Sequence, residues 1–236
     1  MEKGLQLQRE SGNKCNHPYR ELLGSLMYLM LCSRPDICFA VGYLARYQEN
    51  PSELHWQHLK RIVRYLKGTI SYKLHFKPND ETILGFVDAD WASDATDRKS
   101  VSGYVFKVYG CTVAWCSKKQ QTVAISSSEA EYIALSLATT EAIWLKGLLE
   151  DLDAIRQDQP VTIFEDNRGC IGMASNKESK RAKHIDIKHH FVRDNVAVGK
   201  IELKSINSKD QLADTFTKAT DQKRFNQLTE LIGISD

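Results

Sequence analysis

The stretch ILGFVDADWASD, residues 83–94, decides how the chain is read. Ile83, Leu84, Phe86 and Val87 form an apolar run that reads as a core strand, and a polar turn follows it. Asp88 falls at or near the C-terminal end of that strand, with Asp90 two residues on. Side chains alternate between the faces of a strand, so Asp88 and Asp90 share a side. Two like charges on one side of a buried strand are costly unless something cationic neutralises them. The plain alternative is a solvated strand end with a turn-forming Asp. What separates the two is how many carboxylates sit at comparable places elsewhere.

Downstream, SGYVFKVYG and CTVAWCS alternate and are rich in β-formers, which predicts a hairpin of Val101–Tyr109 with Thr112–Ser117 around Gly110. SSSEAEYIALSLATTEAIWLKGLLEDL then predicts a long helix, capped within Ser126–Ser128, with Ile133, Leu137, Ile143, Trp144, Leu145 and Leu148 on its core side. A strand from Val161 to Phe164 ends in Glu165-Asp166, and a short helix runs from Asn167 to Ala174. After a basic loop at Ser179–Lys183, HIDIKHHFVRDNVAVG predicts an amphipathic helix burying Ile185, Phe191, Val192 and Val196. IELKSIN reads as a strand, DQLADTFTKA and RFNQLTELIGI as helices. A hairpin-built antiparallel start that passes into βαβ units predicts a mixed sheet of the α/β class.

Upstream the periods are helical. Residues 1–18 are polar and read as a disordered or borrowed edge. Residues 19–78 give three helices and a short strand at Tyr72–Phe76, and the turn Pro78-Asn79-Asp80 marks the boundary to the β-rich part, 79–236. The third helix, from Ser52 to Gly68, has an apolar stripe of Trp56, Leu59, Ile62, Val63 and Leu66. Its basic face carries Lys60, Arg61, Arg64 and Lys67, which is either solvated surface or a contact with nucleic-acid phosphates.

Net charge is +2 but uneven, with 12 Lys and Arg against 6 Asp and Glu up to Pro78. A basic segment beside an acidic one suits a polyanion held by the first and a cation held by the second. The six cysteines form no CxxC pair and read as reduced thiols of an intracellular protein. His184, His189 and His190 lack partners at metal-ligand spacing. The densest apolar stretch, Leu22–Leu31, is about half of the ~20 residues a membrane span needs.

Acidic residues recur at strand ends and on facing helices: Asp88, Glu131, Asp166 and Asp214. Gathered together, four carboxylates raise one another's pKa or push their elements apart. A hard divalent cation, Mg²⁺ or Mn²⁺, resolves that conflict. Two such ions about 4 Å apart suit phosphodiester hydrolysis.

VDADWASD, SSSEAEYIAL, FEDN, KHIDIKHHFVRD and DQLADTFTK, in this order, resemble the ribonuclease H domain of copia-type LTR retrotransposon Pol polyproteins. YRELLGSLMYLMLCSRPDICFAVGYLARY and HWQHLKRIVRYLKGT resemble the C-terminal end of the reverse transcriptase before it. The resemblance implies a ribonuclease H-like mixed five-stranded sheet flanked by helices, preceded by a small helical segment. It implies Asp88, Glu131, Asp166 and Asp214 as catalytic, metal-holding residues for two Mg²⁺ ions, with Mn²⁺ as a substitute. Ser127 and Ser128 match positions that touch the RNA strand, where the 2′-OH tells RNA from DNA. The implied activity is endonucleolytic hydrolysis of the RNA strand of an RNA–DNA hybrid. The implied partners are that hybrid and the rest of a Pol protein, in a cytoplasmic particle or the nucleus. A non-catalytic or domesticated fragment acting as a nucleic-acid-binding or assembly module is the other reading. The loop Ile206–Asp210 lacks the mobile His of many cellular ribonucleases H, and His184 reads as structural rather than as its replacement. With no YxDD-type motif, the chain is expected to be a piece of a longer Pol-like protein, or a decayed or domesticated copy, that makes no DNA by itself.

Overall fold

The computed structural model describes residues 1–8, 15–156, 158–175 and 186–236, without the side chains of 186–189. Three helices come first: α1 (Tyr19–Cys32), α2 (Cys38–Ala45) and α3 (Glu53–Gly68). Strands β1 (Lys73–Leu74), β2 (Ile83–Asp90), β3 (Val101–Val108) and β4 (Cys111–Lys119) follow. Then come α4 (Ser127–Asp151), β5 (Val161–Glu165), α5 (Arg168–Ser175), α6 (Asp186–Ala197) and β6 (Ile201–Ser205). The chain closes with α7 (Asp214–Thr217), α8 (Gln222–Leu231) and β7 (Ile234–Ser235). No helix among the described residues is long and apolar enough to cross a membrane.

The main sheet runs β4-β3-β2-β5-β6, antiparallel from β4 to β2 and parallel from β2 to β6. The β3–β4 turn places both Tyr109 (φ 50°) and Gly110 (φ 77°) in the left-handed region, the geometry that lets a two-residue turn follow the strand twist. Alternation along β2 sends Ile83, Val87 and Ala89 into a core shared with α4. Leu84 and Phe86 go to the opposite face, into a core with Phe216, Leu228 and Ile232. That second face is the one Asp88 shares by period.

The register sets the acids side by side. In the parallel pair, Phe86 lies opposite Phe164, and their rings stack at 5.0 Å. Asp88 and Asp166 each stand two residues beyond that pair, at the same end of the sheet. Across the antiparallel pair Asp88 lies opposite Gly103. A Cβ on Gly103 would come within 2.7 Å of Thr217 and 2.8 Å of Phe216, so this glycine lets α7 lie directly against the sheet.

Several expectations change. Trp144 (60% exposed) and Leu148 face outward, whereas α4 buries Ala130, Tyr132, Ala134, Leu135, Ala138 and Ala142. Small alanines let the helix approach the sheet closely, and the wide Trp144 is turned away. DQLADTFTKA is helical only over Asp214–Thr217, because Lys218 is already extended (φ −145°, ψ 157°). β7 pairs antiparallel with β1, a long-range contact with no local signature. In the expected disordered edge, Leu7 and Cys15 are buried, and the Tyr47 hydroxyl donates to the Leu7 carbonyl at 2.8 Å. Apolar burial and that buried hydrogen bond outweigh the polar composition there. Val63 is partly exposed, and Trp56 is half-buried, stacked on His17 at 4.8 Å. The basic loop Ser179–Lys183, His184 and Ile185 lie outside the described residues.

The helical segment is stitched to the sheet by polar contacts. Trp115 Nε1 donates to the Met30 carbonyl at 2.7 Å. Asp94, after β2, pairs with Arg46 from the end of α2 at 3.3 Å and also with Lys119.

Candidate active site

Each carboxylate reaches the site by a different route. Asp88 comes from the centre of the sheet and is 3% exposed. Glu131 comes from the first turns of α4, which Ser126 starts by accepting from the Glu129 N–H at 3.2 Å. Glu129 turns back to accept from the Ile125 N–H at 3.0 Å, so it serves the helix start while Glu131 faces the sheet. Asp166 follows the end of β5, where the Glu165 carboxylate accepts the Asn167 N–H at 2.9 Å and Asn167 accepts the Cys170 N–H at 2.9 Å. Asp88, Glu131 and Asp166 each offer an oxygen, all within 4.8 Å of one another.

The fourth expected acid stands apart from that trio. Asp214 opens α7 and is 8% exposed. Its Oδ2 is 3.2 Å from Arg224 Nη2 and its Oδ1 is 2.7 Å from Lys218 Nζ. The same Lys218 Nζ lies 3.5 Å from Asp88 Oδ2, which also accepts from the Thr217 hydroxyl. A lysine ammonium therefore bridges Asp88 and Asp214.

Electrostatics divide the acids in the same way. Burial pushes the Asp88 carboxyl up to about 6, with Lys218 opposing the rise and Asp214 adding to it. Burial, then the neighbouring Glu165 and Asp88, push Glu131 far above the usual carboxylate range. Burial also raises Glu165, against the pull of the Asn167 N–H. Burial alone would lower the Lys218 ammonium, but Asp88 and Asp214 hold it above its ordinary value. Glu131 Oε2 is buried without a hydrogen-bond partner among the described residues, as is Glu165 Oε2. An orphaned carboxylate oxygen beside two more carboxylates is a hard donor set that fits Mg²⁺ or Mn²⁺.

Ser128 donates to Oδ1 of Asn167, the residue after Asp166, at 3.1 Å, while Ser127 is exposed at the start of α4. Lys60, Arg61, Arg64 and Lys67 are exposed on α3, where Arg61 pairs with Glu2 and Lys60 lies over the Trp56 ring. The sequence reading passed over Glu165, Thr217, Lys218 and Arg224. Glu165 had a usable signal, since alternation turns it toward α4 when Phe164 faces the other core. Lys218 had one too, four residues after Asp214.

A mixed five-stranded sheet flanked by helices, with three carboxylates gathered at one end of its central strands, defines a ribonuclease H-like α/β protein. No protein-family model matches the chain. It is 40% identical over 226 residues, 95% of its length, to the retrovirus-related Pol polyprotein from transposon TNT 1-94 of Nicotiana tabacum, of which it covers 17%. It is also 51% identical over 131 residues, 55% of its length, to secreted RxLR effector protein 161 of Plasmopara viticola, covering 92% of that protein. The structure of LC11-RNase H1 in complex with RNA/DNA hybrid aligns with a TM-score of 0.43 at 16% identity, over 58% of this chain and 94% of that one. Over 95% of its length the chain is similar to copia-type retrotransposon Pol polyproteins, and it spans about a sixth of the one named above.

Proposed function

We propose that this chain hydrolyses the RNA strand of an RNA–DNA hybrid as part of retrotransposon reverse transcription. The observation that carries the reading is the convergence of Asp88, Glu131 and Asp166 from three separate elements, with a buried, unpartnered oxygen on Glu131. Those three residues would hold a divalent cation, and Asp88 with Asp214 would face a second. Mg²⁺ held by these carboxylates would supply a Lewis acid for activating water and for stabilising the leaving oxygen of a phosphodiester. The chain's own part is to fix the carboxylates. β2 and β5 set Asp88 and Asp166 in register, and α4 brings Glu131 over the strand end. Ser128, held by Asn167, and the exposed Ser127 supply hydroxyls for the ribose of the cleaved strand. The basic face of α3 supplies phosphate contacts.

Residues 19–78 we assign to the C-terminal end of a reverse transcriptase and 79–236 to the ribonuclease H-like part. Met27, Tyr28 and Leu31 of α1 are exposed, which supports packing against the rest of a Pol protein. The alternative, a module that binds nucleic acid without cleaving it, draws support from Lys218 lying between Asp88 and Asp214. Hybrid cleavage by the full chain in Mg²⁺, set beside Asp88→Asn, separates the two. The expected result is cleavage of RNA in the hybrid, lost in the variant. Equal residual activity in both proteins would leave the binding module standing.

A further inference from the structure

Asp214 Oδ2 is tied to Arg224, which is itself held by the Lys209 carbonyl at 2.6 Å and the Gln211 carbonyl at 3.0 Å. Asp214 Oδ1, the oxygen on the Lys218 side, lies 2.7 Å from the ammonium, off hydrogen-bond geometry, and has no hydrogen-bond partner among the described residues. The backbone before Lys218 is fixed, since Phe216 and Thr217 are fully buried and Gly103 lets α7 seat against β3. The Lys218 side chain, by contrast, is 41% exposed. Asp214 is thus anchored from behind, while its front oxygen is covered by a cation on a flexible stem that solvent can receive. An ammonium and a divalent ion compete for the same oxygens because both are neutralised there by the same two carboxylates.

We propose that Lys218 is a positioning residue that competes for the Asp88–Asp214 side of the acidic centre, so that a divalent cation binds there more weakly than at Asp88, Glu131 and Asp166. The inference rests on the cation-dependent reading above. It adds that the two positions are unequal and that this chain sets the inequality. Asp214 belongs to the second position alone and holds the ammonium at 2.7 Å, against 3.5 Å for the shared Asp88, so moving Lys218 changes the second position more than the first. Charge decides the competition, so arginine should reproduce lysine and glutamine should not.

The test is calorimetric titration of MgCl₂ into the full chain at fixed ionic strength, for the wild type, Lys218→Gln and Lys218→Arg. Lys218→Gln should tighten the weaker step by about tenfold, equivalent to ~1.4 kcal/mol, and leave the tighter step nearly unchanged. Lys218→Arg should leave both steps as in the wild type. A wild type that takes one ion beside a Gln variant that takes two is the limiting form of the same result. An unchanged weaker step in Lys218→Gln, or equal tightening in Lys218→Arg, overturns the proposal. Should the Gln variant fail to fold by circular dichroism, wild-type chain with ¹³C-labelled lysine gives a second measurement. The Lys218 Cε signal should move as Mg²⁺ fills the weaker step, and a signal that stays put overturns it. Because neither readout uses cleavage, an inactive chain would count against the proposed function without touching this result.

Discussion

On the α4 side of β2, Glu131 and Glu165 are buried together, and no described cation lies within ion-pair distance of Glu131. On the α7 side, Asp214 is buried to nearly the same degree, yet it is held by Lys218 and Arg224. Both sides face the low-dielectric cost of a buried carboxylate. On one, burial pushes Glu131 and Glu165 toward the protonated form when no ion is bound, and the other carries its own counter-ions. Asp88 stands between them, raised by burial and steadied by Lys218. The lesson is that a cluster of acids is not one electrostatic object. The side without cations has the most to gain from a divalent ion, and the side with them gives up an ion pair when one arrives.

The largest test of this contrast is Glu131→Gln against Asp214→Asn in hybrid cleavage. Glu131→Gln should lower kcat by about 10²–10³, the scale of losing one preorganised electrostatic group. Asp214→Asn should cost less in kcat but more in stability, about 1–2 kcal/mol, because Lys218 and Arg224 lose their partner and both can still reach solvent. Glu131→Gln should raise the metal-free melting temperature, because folding no longer has to take up a proton on that buried carboxyl. If both variants destabilised the metal-free chain equally, the two sides would be alike.

Gly103→Ala attacks the α7 side by sterics alone. Its methyl would meet Thr217 and Phe216 within 2.8 Å, so we expect a loss of about 1–3 kcal/mol in denaturant unfolding. The Mg²⁺ affinity of the α4 side should survive it.

The pH dependence of metal-free stability sharpens the contrast further. Asp88, Glu131 and Glu165 have folded values above their unfolded ones. The folded chain therefore binds more protons, and the stability these groups contribute is complete below about pH 4 and is lost as pH rises through their folded values. Asp94, held low by Lys119 and the Thr96 N–H despite its burial, runs the other way and loses its contribution as pH falls. Melting temperature should accordingly rise as pH drops from 8 toward 5, and Glu131→Gln should flatten that rise. Mg²⁺ at 100 Kd should stabilise the chain by roughly 2.7 kcal/mol, and a fixed Mg²⁺ concentration should stabilise it more at pH 8 than at pH 5.

The smallest effect concerns the basic face of α3. Changing Lys60, Arg61, Arg64 and Lys67 together to Gln should flatten the slope of log K against log[salt] by roughly 0.7–0.9 per lost phosphate contact. The loss should be alike for hybrids of unrelated sequence, since phosphates carry no sequence information. An unchanged slope would return α3 to plain solvated surface, and Arg61, already paired with Glu2, is the member most apt to give none.

Period and motif order were enough to find the hairpin, the long helix, the β5 acid pair and the mixed sheet, because each is written in contiguous residues. Alternation along β2 alone puts Asp88 with Phe86 and away from Val87. The reading failed where one face had to be chosen among several. α4 is apolar around much of its circumference: Ile133 and Leu145 are buried as expected, but Trp144 and Leu148 turn outward, and Tyr132, Leu135 and four alanines fill the face toward the sheet. DQLADTFTKA has helical composition, yet docking of Phe216 beneath Gly103 ends the helix after Thr217.

The sequence by itself determined which residues are acidic, on which elements they ride and in what order those elements come. Only the tertiary structure decided which acids share a centre and which are already neutralised. Register between β2 and β5 joins Asp88 to Asp166, and the packing of α4 adds Glu131. The close seat of α7 brings Lys218 from 130 residues away to stand between Asp88 and Asp214. Charge compensation falls steeply with distance, and distance between elements is set by packing, not by spacing along the chain.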